Sequence, residues 1–357
     1  MFPLHTLPAS RFETAAILAR LTTASRQLAE LKGVASSIPN EAILINTLGL
    51  QEAKDSSAIE NIVTTHDELF QHAGLDDAAS GPAKEVARYR EALRVGFDLV
   101  NSTSLLTNNH ILSIQAQLEE NRAGFRTLPG TVLRSNRGDV VYTPPEPPDI
   151  VQLMTDLERF INDDTIFAAD PLVKMALVHH QFESIHPFYD GNGRTGRIIC
   201  VLYLVKQRLL HIPVLYLSRY IVRTKGEYYR LLQTVRDEDT WEAWVLYMLA
   251  AVEDTARQGI ATIQAIKDAL LQVKHDIRRR HKFYSQDLIN NLFLHPYTKI
   301  DFLKDDLGVT RLTATRYLDA LVADGTLDKR KIGRSNYYIN RRLCAILTGA
   351  AMTEPGP

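Results

Sequence analysis

The sequence predicts a mainly α-helical protein with one small β-hairpin and a compact helix-and-strand unit at its C-terminal end. Three observations predict it. Apolar residues recur at three- and four-residue spacing through most of the chain. One stretch, Thr131 to Tyr142, breaks that rhythm with short β-branched runs around Asn136-Arg137-Gly138-Asp139. Beyond residue 283 the helices shorten and two strand-like runs follow them.

The helical spacing covers residues 12–36, 41–53 and 56–72, pauses in the loop Gly74 to Pro82, and resumes at 83–100 and 108–122. After the hairpin, Pro144, Pro145, Pro147 and Pro148 stiffen the chain into an extended passage. Helices are then expected at 148–162, 171–184, 194–209, 224–235 and 239–256. In the last unit, Lys299 to Leu307 and Thr310 to Ala323 read as two short helices joined by Gly308-Val309. Leu327 to Ile332 and Tyr337 to Ile339 read as strands joined by Gly333-Arg334-Ser335-Asn336. Helix, turn, helix and a two-stranded wing is the winged helix-turn-helix order.

A chain of 357 residues accommodates two or three domains. With 45% hydrophobic and 23% charged residues it can bury a core, which excludes wholesale disorder. A net charge of −1 points to no particular partner. The N-terminus lacks a basic stretch followed by an apolar run, so no signal peptide is expected. The longest apolar run, Ile198 to Val205, is too short to cross a membrane. Two distant cysteines, Cys200 and Cys344, fit a reducing compartment, and a cytoplasmic location is expected.

Residues 186–197 carry the chemistry: His-Pro-Phe-Tyr-Asp-Gly-Asn-Gly-Arg-Thr-Gly-Arg. The apolar run that follows makes this a glycine-bearing loop feeding the N-terminus of a buried helix. There, free N–H groups and the helix dipole attract anions. His186 suits a general base, since imidazole titrates near neutrality. Asp190 offers a carboxylate to Mg²⁺, which favours carboxylate and phosphate oxygens. Gly191 and Gly193 let backbone amides approach phosphates closely. Asn192 can donate to a phosphate oxygen, and Arg194 and Arg197 present planar forks to the β- and γ-phosphates. His179, His180, Glu183 and His186 also have the spacing of a transition-metal site on a helix. Packing is the favoured reading of the first three, because the adjoining Gly-Asn-Gly-Arg serves phosphate.

His186, Phe188, Asp190, Gly191, Asn192, Gly193, Arg194 and Arg197 match every fixed position of the Fic-family pattern His-x-Phe-x-(Asp/Glu)-Gly-Asn-Gly-Arg-x-x-Arg, and over residues 12–255 the chain resembles that family. The resemblance implies the Fic helical fold and a protein adenylyltransferase. Such an enzyme moves AMP from ATP, with Mg²⁺, to a Ser, Thr or Tyr hydroxyl of a target protein or of itself. On that basis His186 is the catalytic residue, Asp190 the metal ligand, and Asp190, Gly191, Asn192, Gly193, Arg194, Thr195, Gly196 and Arg197 the ATP-phosphate set. Another donor (UMP, phosphocholine or phosphate) and removal of AMP are the alternatives within the family.

Ser56-Ser57-Ala58-Ile59-Glu60-Asn61 matches a second family pattern, (Ser/Thr)-x-x-x-Glu-(Gly/Asn). It implies an inhibitory helix in which Glu60 pairs with Arg197, so that the arginine is withheld from the γ-phosphate. Ser56 shares its helix face. The hairpin at 131–142 is similar to the family's flap, which aligns a target segment by strand addition through Val140, Val141 and Tyr142. Tyr228 and Tyr229 fall where relatives carry tyrosines near adenine.

The expected organisation is an N-terminal helical region with the inhibitory helix (1–107), a Fic catalytic core (108–258), a helical linker (259–282), a winged-helix unit (283–345) and a tail (346–357). Val309 to Arg342 holds eight Lys/Arg against three Asp/Glu. The alternative function is therefore a DNA-binding transcriptional regulator with duplex DNA as partner, Arg311, Thr313 and Arg316 facing a groove and Lys329, Arg330, Lys331 and Arg334 on phosphates. The other readings of this unit are a dimer contact or a protein adaptor. The resemblance also implies self-association as a homodimer, and no membrane partner is expected.

Overall fold

Two short helical turns and a Thr14 cap, whose hydroxyl accepts the Ile17 N–H, lead into α1 (Ala15–Ala35). The computed structural model describes residues 3–72, 81–135, 137–332 and 335–349. The expected loop residues 74–80, Asn136 of the hairpin turn, Gly333 and Arg334 of the wing turn, and tail residues 350–357 lie outside them. α2 (Glu41–Ile59) starts at an Asn40 cap and runs unbroken from the helix expected at 41–53 into the first turn of the one expected at 56–72. It stops at Glu60 because Asn61 adopts a left-handed conformation, φ +65°. α3 (His66–His72) restarts after the break. α4 (Gly81–Thr103) and α5 (Asn108–Glu119) then pack against each other.

β1 (Leu133–Arg134) and β2 (Val140–Tyr142) form the hairpin, with Leu133 opposite Tyr142 and an irregular register beyond it. α6 (Pro147–Asn162) follows, its prolines sitting at the first turn where no N–H is needed. α7 (Pro171–Ile185) is buried at every position from Leu172 to Ile185. A helix enclosed on all sides needs neighbours all round. α7 has α6 and α11 along its flanks and α8 (Asn192–Lys206) folded back against it. The loop between α7 and α8 carries the 186–191 motif, so the central pair of the core fixes the site.

α9 (Ser218–Arg223), absent from the sequence expectation, is too short to show a period. α10 (Lys225–Glu238) and α11 (Trp241–Arg280) follow. α11 is one 40-residue helix, not a core helix joined to a separate linker. Ile260, Ile263, Ile266, Leu270, Val273 and Ile277 continue its buried stripe, and its first half packs along α1.

The last unit comprises α12 (Gln286–Leu294), β3 (Tyr297–Thr298), α13 (Ile300–Leu307), α14 (Arg311–Ala323), β4 (Leu327–Ile332), β5 (Ser335–Asn340) and α15 (Arg341–Thr348). Its sheet order β3-β5-β4, with α13 and α14 ahead of the β4–β5 wing, is the winged helix-turn-helix arrangement. Among the described residues, no helix is long and apolar enough to cross a membrane.

Trp244 is fully buried and its indole N–H donates to the Ala176 carbonyl at 2.8 Å, tying α11 to α7. We expect Trp244→Ala to lose about 3–5 kcal/mol of stability through the cavity it leaves. The denaturant midpoint measures this, and an unchanged midpoint would contradict the assignment of α7 as the packed centre.

Candidate active site

The chain leaves α7 at His186 in a left-handed conformation, φ +49°, which turns the loop sharply toward α8. A non-glycine residue holds that conformation when its surroundings over-determine it. Buried Arg126 does so here: its Nε donates to the His186 carbonyl at 2.9 Å and its backbone N–H to the Pro187 carbonyl at 2.8 Å. Its guanidinium also bonds the Pro145 carbonyl, so one side chain joins the base's loop to the stretch after the hairpin.

Gly191, φ +75°, caps α8. A Cβ there would stand 2.4 Å from Glu119 Oε1, so only glycine fits. The next N–H groups, in the first turn of α8, have no acceptor within the helix. They open on a cavity of about 970 Å³ lined by His186, Asp190 to Gly193, Arg197, Glu60, Val141, Tyr228, Tyr229 and Arg236, among others. The structure thus gathers most of the expected site residues around one space.

Burial, together with the Arg126 and Arg236 guanidiniums, pushes the His186 imidazole down to about 4. Above that value it is neutral and able to accept a proton. Asp190 keeps a side chain 75% exposed, with Oδ1 accepting the Gly191 N–H at 2.7 Å. A carboxylate at the mouth of an anion site suits a cation that also takes phosphate oxygens. Among the described residues, no group of three or more His, Cys, Asp or Glu could hold a metal ion alone. His179 and His180 are buried within the core, where Nε2 of each pairs with the Tyr228 hydroxyl and the Leu232 carbonyl respectively.

Glu60 lies across both arginines. Its Oε1 accepts from Arg197 Nη2 at 2.9 Å, and its Oε2 stands 2.7 Å from Arg194 Nε. Arg197, 2% exposed, also donates to the Ser56 hydroxyl at 2.8 Å and to the Ser56 carbonyl at 3.0 Å. Burial alone would pull the Arg197 guanidinium down, but the Glu60 charge holds it above its ordinary value. Gly193 makes room for the pair: a Cβ there would stand 2.7 Å from Glu60 Oε1.

Several expected roles need correction. The Asn192 amide is engaged within the loop. Its oxygen accepts the Phe188 N–H at 2.9 Å and its nitrogen donates to the Phe188 carbonyl at 2.8 Å, so it staples the loop. Arg194 does not line the cavity and is 3% exposed, enclosed by Glu60, Glu85, Glu119 and Asp190. Thr195 is wholly buried, and Gly196 is where α8 meets α7, since a Cβ would stand 2.7 Å from Glu183 Oε1. Tyr142 anchors the hairpin: its hydroxyl donates to the Ser184 carbonyl at 2.9 Å, and Arg236 lies 3.9 Å from its ring centre. Val140 and Val141 are the exposed apolar residues of the hairpin. Tyr228 is buried with its ring edge on to exposed Tyr229.

Sequence reasoning missed Glu85, Glu119, Arg126 and Arg236 as members of the site. Arg236 left a readable trace, because Tyr228, Leu232 and Arg236 stand at four-residue steps on one face of α10, and Arg126 stood out in Gly124-Phe125-Arg126, to which no role was given. In the winged unit, Arg311 pairs with Asp301 and Lys329 with Asp319, while Arg334 lies outside the described residues.

Residues 18–98 match the Fic/DOC family N-terminal domain and residues 105–204 match the Fic/DOC family itself. The chain belongs to the Fic family. Residues 270–343 of this Fic chain match the C-terminal domain of protein adenylyltransferase SoFic-like proteins. Among relatives, protein adenylyltransferase fic-1 of Caenorhabditis briggsae is 30% identical over 157 residues, covering 42% of this chain and 30% of the relative. Its namesake in Caenorhabditis elegans is 28% identical over 198 residues, covering 53% and 37%. The chain thus spans about a third of the length of these relatives. A crystal structure of a Fic family protein from Desulfovibrio desulfuricans shares the fold, with a TM-score of 0.58 at 21% identity over 91% of this chain and 96% of that one. Fic-1 of C. elegans, residues 134–508, does so with a TM-score of 0.53 at 21% identity over 70% and 73%.

The His186 environment sets a pH expectation. Its ring should stay neutral through pH 6 and gain a proton only near pH 4, as read by nitrogen-15 histidine NMR. A midpoint near 6.5 would mean the ring stands in water rather than between Arg126 and Arg236.

Proposed function

We propose that this protein is a magnesium-dependent protein adenylyltransferase held at rest by Glu60. The observation that carries the reading is the shared carboxylate: Glu60 engages Arg197 at the rim of the cavity that holds His186 and the α8 N-terminus. The triphosphate of ATP would lie on the first-turn N–H groups of α8, with Arg197 on the γ-phosphate once Glu60 withdraws. The target hydroxyl oxygen attacks the α-phosphorus, its proton passes to neutral His186, and the bond to the bridging oxygen breaks to release pyrophosphate. Asp190 would hold magnesium, which supplies neutralisation of phosphate charge when bound. Exposed Val140 and Val141 on β2 offer an edge on which an extended target segment can align. Tyr229 provides a ring for adenine, with buried Tyr228 setting its angle.

The DNA-reading alternative gains no support from this geometry, because Asp301 and Asp319 neutralise two of the cations it needs. AMP removal stays within the same site, since a carboxylate beside the cavity can position water.

ATP labelled at the α-phosphate tests the reading. Glu60→Gly should raise retained protein label about 10- to 100-fold, the scale of hydrogen bonds to charged groups at about 1.5–3 kcal/mol. Adding His186→Ala should cut it by about 10²–10⁴. Label from the γ-position should not be retained. Retained γ-label, or label indifferent to His186, would overturn nucleotidyl transfer at this site.

A further inference from the structure

The inhibitory helix α2 is enclosed from two sides, and the second side is the C-terminal unit. Thr47, Leu48, Gly49 and Leu50 are four successive buried residues. Four residues sweep a full turn, so no face of α2 meets solvent there. α4 and α9 cover its inner side, where Glu52 accepts the Tyr89 hydroxyl at 3.0 Å. α12 and α15 of the winged unit cover the outer side, and Gln51 donates to the Leu347 carbonyl across the seam. The seam continues past the helix end. Phe70 of α3 packs on Tyr297 of β3, ring centres 5.5 Å apart, and His66 of α3 stands 3.4 Å from Lys54 of α2. The winged unit thus holds both helices that flank Glu60, one on each side of it in sequence.

From this enclosure we infer that the winged-helix unit is the outer support of the brake. It keeps α2 in the position from which Glu60 reaches Arg197, and loosening the seam releases the arginine to ATP. This rests on the proposed role of Glu60 and adds the part of the molecule that governs it. Gln51 and Ser56 lie on one continuous helix and Glu60 caps its C-terminal end, so a shift at Gln51 travels along a rigid rod to the residue that carries the carboxylate. Linkage makes the effect reciprocal: whatever strains the winged unit away from α2 strengthens ATP binding, and ATP binding loosens the seam by the same factor.

The test uses full-length protein with Phe70→Ala and Gln51→Ala, alone and combined with Glu60→Gly. Phe70→Ala opens the aromatic contact. Gln51→Ala removes one hydrogen bond and keeps the measurement available if the first variant fails to fold. Calorimetry of ATP binding and hydrogen exchange of the amides at 41–60 are read together. Support is a gain in ATP affinity on the order of fivefold or more, the low end of typical site-to-site coupling, with faster exchange in α2 and no further gain in the Glu60→Gly background. If Glu60→Gly tightens ATP binding while folded seam variants leave affinity and exchange unchanged, the winged unit is no support and this inference is overturned alone. If Glu60→Gly is also silent, the brake itself is wrong and the inference falls with it.

Discussion

The site is organised by two buried guanidiniums that need a negative partner. Arg194 and Arg197 are almost wholly inaccessible at the N-terminus of α8, where the helix dipole is also positive. Such a pair is costly to bury without counter-charge, and removing one partner from a buried ion pair leaves the other uncompensated. Glu60 supplies one oxygen to each. That single requirement explains several other features: the helix end at Glu60, the buried Ser56 hydroxyl on Arg197, and the bare Cα of Gly193.

A second constraint acts on the base. His186 is in a left-handed conformation at the end of an all-buried helix. Arg126 holds its carbonyl, Asn192 staples the loop from beyond it, and Tyr142 closes the end of α7 through Ser184. The imidazole is therefore placed by backbone contacts rather than by a hydrogen-bonded side-chain partner. Its depressed affinity for protons follows from the same neighbours, because burial and the Arg126 and Arg236 charges all disfavour imidazolium.

The gathering of His186, Asp190, Gly191, Gly193, Arg197 and Glu60 around one cavity was legible in the sequence because their chemistry lies within one loop and one helix turn, where spacing alone implies proximity. The Glu60–Arg197 contact at 2.9 Å links two such patterns. Glu85 and Glu119 were not legible, since they come from the start of α4 and the end of α5 and meet Arg194 only through helix packing. Thr195 and Gly196 were misplaced because motif membership was read as ligand contact. Helical geometry turns Gly196 toward α7 and buries Thr195, while Gly193 and Arg197 line the cavity. The same limit applies to the fold. The period in α11 was visible to residue 256 and beyond, yet nothing local said that one helix ran through the boundary between units.

The unequal enclosure of the two arginines has a consequence for the proposed reaction. A polyphosphate brings negative charge to a place already crowded with Glu60, Glu85, Glu119 and Asp190. Burial and those carboxylates raise Glu119 above its ordinary range even against the Arg194 charge. If ATP had to take both arginines, it would displace four carboxylates at once. Among the described residues, Arg197 has only Glu60 as a close ion-pair partner, whereas Arg194 would keep Glu85 and Glu119 if Glu60 withdrew. The motion of one carboxylate therefore frees the arginine that lines the cavity, while the other goes on tying α4, α5 and α8 together. On the proposed reading, the first arginine of the motif preserves the shape of the site and the second would meet the nucleotide, so that a brake at that arginine would need only a single residue.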